Sequence, residues 1–257
     1  LPVDAVIFDL EDAVSVDEKP NARATLAQAL EAGGFGARMK IVRINGLDTE
    51  WGREDAVAAA KMDCDAILLP KVNSPADLDA LADITGDIPL WAMMETPRGM
   101  LNAAAIAAHP KLQGMVMGTN DLAKELQTRY RPDRLPMMAG LGLCLLAAKA
   151  EGLVIVDGVY NAFKDVEGLA AECAQGRDMG FDGKTLIHPA QVEVANAAFA
   201  PTEREIDTSR RQIAAFEEAQ AAGQGVAVVD GKIVENLHVA TAREILAKAD
   251  AIAALSA

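Results

Sequence analysis

Seven short, nearly unbroken apolar runs recur along this chain, most of them followed by an alanine-rich stretch. They are DAVIFDL (4–10), MKIVRIN (39–45), DAILLPK (65–71), PLWAMME (89–95), GMVMGT (114–119), LVIVDGV (153–159) and KTLIHP (184–189). A strand with one face in water alternates apolar and polar residues, whereas a strand covered on both faces does not. Continuous Val, Ile and Leu therefore predict a parallel sheet with helices packed on it. The intervening stretches, 20–32, 52–62, 75–83, 98–107, 120–128, 137–151 and 165–179, read as those helices.

Strand–helix alternation leaves two architectures, a doubly wound sheet and a TIM (β/α)8 barrel. A doubly wound sheet concentrates its chemistry at one switch point, and no GxGxxG follows the first run. Polar residues instead close nearly every run: Asp9, Glu11 and Asp12; Arg43 and Asn45; Lys71; Glu95; Asn120 and Asp121; Asp157; His188. A barrel gathers its site from the C-terminal ends of several strands, so the expected fold is an α/β TIM barrel. Seven strands are one short of closure. The expectation is that the first strand and its helix, about 20–30 residues, are missing from the given chain. The barrel is expected over residues 1–200. Beyond Pro201 the pattern changes to a charged helix (202–222), a hairpin (225–236) turned at Asp230-Gly231, and a last helix. Residues 201–257 read as a helix–hairpin–helix lid or oligomerisation arm.

Composition narrows the partners. A net charge of −14 over 257 residues disfavours nucleic acid and anionic membrane surfaces, which both reward basic patches. No apolar run is long enough to span a bilayer, and no signal peptide is visible. The three cysteines are scattered and no CxxC occurs, which fits a cytoplasmic protein without disulfides or structural zinc.

Glu95 ends a wholly apolar run, and a carboxylate there is costly unless it binds something. Asp121 follows the next run. Neighbouring barrel strands would bring the two together, and two hard oxygen ligands suit Mg2+, with Mn2+ as a substitute. Taken singly, Asp121 could cap the helix after it and Glu95 could pair with Arg98. Arg43 could fork onto a substrate carboxylate or stabilise an oxyanion, or it could form an ion pair with the Asp9, Glu11 and Asp12 group. Asp12 could hold metal-bound water or orient Arg43, or simply cap a turn. Lys71 could meet substrate or be a surface lysine. Lys19 and Arg23, four apart on the first helix, could meet phosphates or form a solvated face. His188-Pro189 reads as a rigid loop element.

The stretches DAVIFDLEDAVSVDEKPNAR, VRING, AILLPKV, METPRG, GTNDLAKEL, LVIVDGVYNAFKD and GFDGKTLIHPAQ together resemble the HpcH/HpaI aldolase and citrate lyase superfamily, in its citrate lyase β-subunit-like branch. They run in order from the start of the chain to about Ala200. The resemblance implies a TIM barrel, Mg2+ on Glu95 and Asp121, Arg43 on the small acid, a CoA thioester substrate, and a homotrimer or hexamer; Lys19, Arg23 and Lys71 are the basic residues in this chain that could meet such a substrate. It also implies that the tail delivers an acid to an active site, often a neighbour's. That acid is usually Asp; the aligned residue here is Glu235, in GKIVEN. The family's usual first strand, with its Arg-Ser pair, has no counterpart here.

From the resemblance, the expected activity is a Mg2+-dependent carbon–carbon lyase. It would cleave malyl-CoA, β-methylmalyl-CoA or citramalyl-CoA to an acyl-CoA and a 2-oxo acid, glyoxylate or pyruvate. Arg43, Glu235 and Asp12 would be its catalytic residues. The longer carboxylate of Glu235 leaves (3S)-malyl-CoA thioesterase as one alternative. A citrate lyase-like accessory subunit, or a non-catalytic CoA-ester binder, is the other.

Overall fold

The computed structural model describes residues 1–256. Seven strands form one parallel sheet: β1 (Ala5–Asp9), β2 (Met39–Arg43), β3 (Ala66–Leu69), β4 (Leu90–Met94), β5 (Leu112–Met117), β6 (Val154–Asp157) and β7 (Gly183–Lys184). Their spatial order is their chain order, and the two ends of the sheet, β1 and β7, are not paired with each other. The connecting helices are α1 (Lys19–Ala32), α2 (Gly52–Ala59), α3 (Pro75–Thr85), α4 (Pro97–Leu101), α5 (Ala103–Ala107), α6 (Thr119–Glu125), α7 (Met138–Ala150) and α8 (Val166–Met179).

Side chains on a strand alternate between faces. Val42, Ile67, Leu69, Leu90, Met94, Met115 and Ile155 are all buried on the helix-covered face. On the other face Ile41, Ala66, Leu68, Trp91, Met93 and Val116 form one buried cluster, with Ala5, Ile7, Met39 and Val156 packed against it. That cluster draws on six successive strands, so the face curls around it as a half-barrel of TIM type. Trp91 pairs in register with Gly114, and a Cβ on Gly114 would sit 2.6 Å from the indole. The glycine is what lets the tryptophan lie flat across the interior.

Two residues further along, the inward series turns polar. Ile7 gives way to Asp9, Ile41 to Arg43 and Met93 to Glu95. The apolar layers thus form a floor, and the charged layer sits on it at the C-terminal ends of the strands.

Local chemistry fixes the helix starts. Ser74 and Asp77 make a reciprocal capping box with Pro75 in the first turn of α3. Thr96 accepts the Gly99 N–H at the start of α4. The helix expected over 98–107 is two short helices meeting at Asn102, whose amide donates to the Asn73 carbonyl at 2.7 Å. The strand expected over 184–189 is only Gly183–Lys184, because the Ile187 and His188 N–H groups donate to Gln191 Oε1 and are lost to any ladder. His188 instead opens a one-turn 3-10 helix and stacks on Phe163 at 4.5 Å, as a rigid loop element.

The chain divides into two compact units, Leu1–Ala195 and the residues from Asn196 onward. Helix α9 (Val192–Phe199) runs across the division. The second unit holds α10 (Glu203–Ala221), the antiparallel pair β8 (Ala227–Val229) and β9 (Lys232–Val234), and α11 (Asn236–Ser256). Its own core is Phe216, Ala219, Ala227, Val234 and Val239. Asp230 (φ 51°) and Gly231 (φ 75°) turn the hairpin, the left-handed pair that a two-residue connection requires. Among the described residues, no helix is long and apolar enough to cross a membrane.

Candidate active site

Asp9 and Arg43 stand opposite each other at the ends of β1 and β2. Arg43 Nε donates to Asp9 Oδ1 at 2.7 Å and Nη2 to Oδ2 at 2.5 Å, a two-pronged fork. Asp9 also accepts the N–H groups of Glu11 (2.9 Å) and Ala13 (3.0 Å). Burial pushes its carboxyl up, but Arg43 and these two amides outweigh burial and hold it below its ordinary value. The remaining Arg43 nitrogen, Nη1, lies 2.8 Å from Glu11 Oε2, 3.6 Å from Asp12 Oδ2 and 3.6 Å from the Met93 sulfur. Glu11 Oε2 has no hydrogen bond of good geometry, so this contact is an ion pair by distance alone. Burial raises the Glu11 carboxyl, and the Arg43 charge only partly offsets it.

Lys71 joins this group to the next strand. Its ammonium is 3.6 Å from Glu11 Oε1, and its backbone N–H donates to Glu95 Oε1 at 2.8 Å. It can do both because it is left-handed (φ 52°), a conformation that costs a non-glycine residue roughly 1–3 kcal/mol and gathers at functional sites. Glu95, at the end of β4, is 2% exposed and accepts no other hydrogen bond among the described residues. Burial, set against that one N–H and reinforced by the Asp121 and Glu11 charges, pushes its carboxyl up to about 8. A Cβ on Gly118 would run into the Glu95 carboxylate, so the chain after β5 can pass this close only as glycine. Asp121 lies in the first turn of α6, whose N-cap is Gly118; Asp121 makes no capping bond, and its charge is felt by both Glu95 and Lys71.

Five carboxylates, Asp9, Glu11, Asp12, Glu95 and Asp121, thus meet two cations, Arg43 and Lys71. A divalent cation would relieve that excess. Glu95 and Asp121 are two hard oxygen donors with unfilled acceptor positions, and Glu95 is not paired with Arg98. Among the described residues no group of three or more His, Cys, Asp or Glu gathers to hold a metal. The donor set fits Mg2+, which keeps several waters and takes one or two carboxylates, better than zinc.

Other expected residues fall elsewhere. Asp12 belongs to the group, but its side chain is 64% exposed. Glu235 is an exposed residue of the second unit, just before α11; its N–H donates to His238 Nδ1. Lys19 and Arg23 need correction as phosphate contacts. Lys19 is buried, and its three N–H donors go to Leu10 O (3.1 Å), Glu11 O (3.0 Å) and Asn45 Oδ1 (2.7 Å). Arg23 is paired with Glu54 at 2.5 Å and with Asp55 at 3.1 Å. Lys19 is consumed inside the fold, and Arg23 is committed to these two carboxylates. Arg23 lines a groove of about 970 Å3 between α1 and α2, and that groove includes none of the site carboxylates. Glu11, buried at the centre, is a sharper candidate than Asp12. Its neighbours in sequence could not reveal this, since the loop geometry alone decides which acid of DLED turns inward. Asp157 points the other way: it is wholly buried under α8, bonded to Arg134 (2.7 Å) and near Lys184 (3.3 Å).

Comparison with known proteins bears on this site. The HpcH/HpaI aldolase/citrate lyase family profile matches residues 1–189, and a profile described as a C–C bond lyase of the TIM-barrel fold matches 136–253. A protein of Cereibacter sphaeroides (strain ATCC 17029) named (3S)-malyl-CoA thioesterase is 71% identical over 257 residues, all of this chain and 90% of its own. The citrate lyase β subunit of Leuconostoc mesenteroides is 35% identical over 96% of this chain and 86% of its own. The crystal structure of CitE from Mycobacterium tuberculosis, in complex with magnesium, acetoacetate and coenzyme A, superposes with a TM-score of 0.82 at 32% identity. It covers 96% of this chain and 90% of that one. These findings correct the expectation of a carbon–carbon lyase: the relatives at 68–71% identity are thioesterases, twice as similar as the citrate lyase subunits.

Proposed function

The chain belongs to the HpcH/HpaI aldolase/citrate lyase family, in the citrate lyase β-subunit branch, and on that premise we propose that it hydrolyses (3S)-malyl-CoA to malate and free CoA. The observation that carries this reading is the 71% identity, over the whole chain, to a (3S)-malyl-CoA thioesterase. The site supports it chemically.

Glu95 and Asp121 would hold Mg2+. When bound, the ion would polarise substrate oxygens and offset charge that develops on them. The Lys71 N–H holds Glu95 Oε1 and so fixes the orientation of that carboxylate. Arg43 has two nitrogens fixed by Asp9, so only Nη1 is left for substrate, beside Glu11. The Lys71 ammonium, about half exposed, is free to meet the acyl carboxylate or the thioester oxygen. Glu11 is the carboxylate best placed to take a proton from water, being buried and held between two cations. In the hydrolysis, water oxygen forms a bond to the thioester carbon, the carbon–sulfur bond breaks, and the sulfur leaves as the CoA thiol. Asp12 and Glu235 stand as further candidate acids. The half-barrel floor of Ile7, Met93 and Val116 keeps water away from the underside of the charged layer.

The test is a product assay on the purified chain with (3S)-malyl-CoA and Mg2+, with and without EDTA. Free thiol and malate in equal amounts, lost on chelation, is the expected result. Acetyl-CoA and glyoxylate with no thiol would overturn it.

A further inference from the structure

We propose that Lys19 is a positioning residue of this site, a buried ammonium that clamps the Asp9–Asp12 loop so that Glu11 faces Arg43 and Lys71. The proposal rests on the assignment of that loop to the active site.

Lys19 opens α1 and is 6% exposed. A buried ammonium ordinarily takes a carboxylate partner, because desolvating it alone is costly. Lys19 makes no ion pair among the described residues. Its three protons go to three uncharged oxygens, and the Trp51 ring lies 5.1 Å from the nitrogen. What those oxygens share is the loop. Two are the carbonyls of Leu10 and Glu11. The third belongs to Asn45, whose own amide donates to the same Leu10 carbonyl at 2.8 Å. Asn45 is in turn held by the wholly buried Asp55, through its backbone N–H at 3.1 Å and its side-chain amide at 2.5 Å. Asp55 is paired with Arg23.

A line of polar contacts thus runs from Arg23 through Asp55 and Asn45 to Lys19 and ends on the backbone of the two residues before Asp12. Glu11 is held at both ends by cations: its carbonyl by Lys19, its carboxylate by Arg43 and Lys71. Fixing the carbonyl sets the direction in which the side chain leaves the loop. The uncompensated charge also lies directly behind a layer rich in carboxylates, where it lowers the repulsion among them. A lysine that served only to fill space would not need three directed bonds to one loop and its neighbour.

The test is a double-mutant cycle in the full chain, pairing Lys19→Met with Glu11→Gln. Loss of the clamp should lower kcat for malyl-CoA hydrolysis by about 100-fold, the scale of a misplacement of about 1 Å, while KM moves less than about threefold. That loss should largely vanish in the Glu11→Gln background. Amide hydrogen exchange at Glu11 and Ala13, both tied to Asp9, should quicken in Lys19→Met. If Lys19→Met does not fold, Lys19→Arg carries the same cycle, since a planar fork cannot reach all three oxygens. An equal loss with and without Glu11, or unchanged kcat, would overturn the proposal. If the wild type does not turn over malyl-CoA, the functional reading fails by itself, and unchanged exchange at Glu11 and Ala13 would then overturn the clamp.

Discussion

At the scale of single residues, Glu95 carries opposed demands. Its ordinary value near 4.5 is pushed up to about 8 by burial first and by neighbouring carboxylates after it. In the metal-free protein the folded state therefore keeps a proton that the unfolded chain gives up. Stability should fall as pH rises from about 4.5 to about 8 and then level off, by a few kcal/mol at most, since each pH unit is worth about 1.4 kcal/mol per proton. Glu95→Gln should remove that slope. Urea unfolding in EDTA at pH 5 and pH 9 checks it, and a variant that keeps the wild-type difference would acquit Glu95. Mg2+ should stabilise the wild type and leave the variant unmoved. The position of Glu95 was legible in the sequence, because an acid at the end of a wholly apolar run has few uses. Lys19 was not legible. Lysine four before arginine on a helix reads as a solvated face, and only the loop folding back over it makes it a buried clamp.

At the scale of elements, α8 is tied to the sheet by charge. Asp157 on β6 accepts two 2.7 Å contacts from Arg134, and Lys184 on β7 bonds Glu172 on α8 at 2.6 Å. Arg134 is itself left-handed (φ 51°) and donates to Gln175 of α8 at 2.7 Å. Removing one member of such a cluster strands the others, so Asp157→Asn should cost about 3–5 kcal/mol, read as a lower urea midpoint with an unchanged slope. A loss under about 1 kcal/mol would mean that water replaces the missing charge. Alternation along LVIVDGV puts Asp157 on the helix side, opposite Val156. That alternation was the missing step in grouping Asp157 with the acids at the other strand ends. The helices of the first unit were legible to within a few residues because their apolar faces repeat. Helix α9 was not, because VEVANAAF alternates as well as it spirals, and β7 was overdrawn because its downstream amides are captured by Gln191.

At the scale of the whole molecule, charge works against the proposed substrate. A chain at −14 repels an anionic CoA ester, and the two basic residues expected to counter this, Lys19 and Arg23, are spent on internal partners. Salt screens that repulsion, so kcat/KM for malyl-CoA should rise between about 10 and about 150 mM NaCl, the reverse of an enzyme that steers its substrate. A fall over that range would reveal a basic approach path. The sheet has a consequence of another kind. Because every strand from β2 to β7 pairs with the one made just before it, a chain leaving the ribosome never has to insert one of these strands between two already joined. Each new unit docks on a finished edge and leaves a fresh one behind it, so the half-barrel can assemble at the pace of translation.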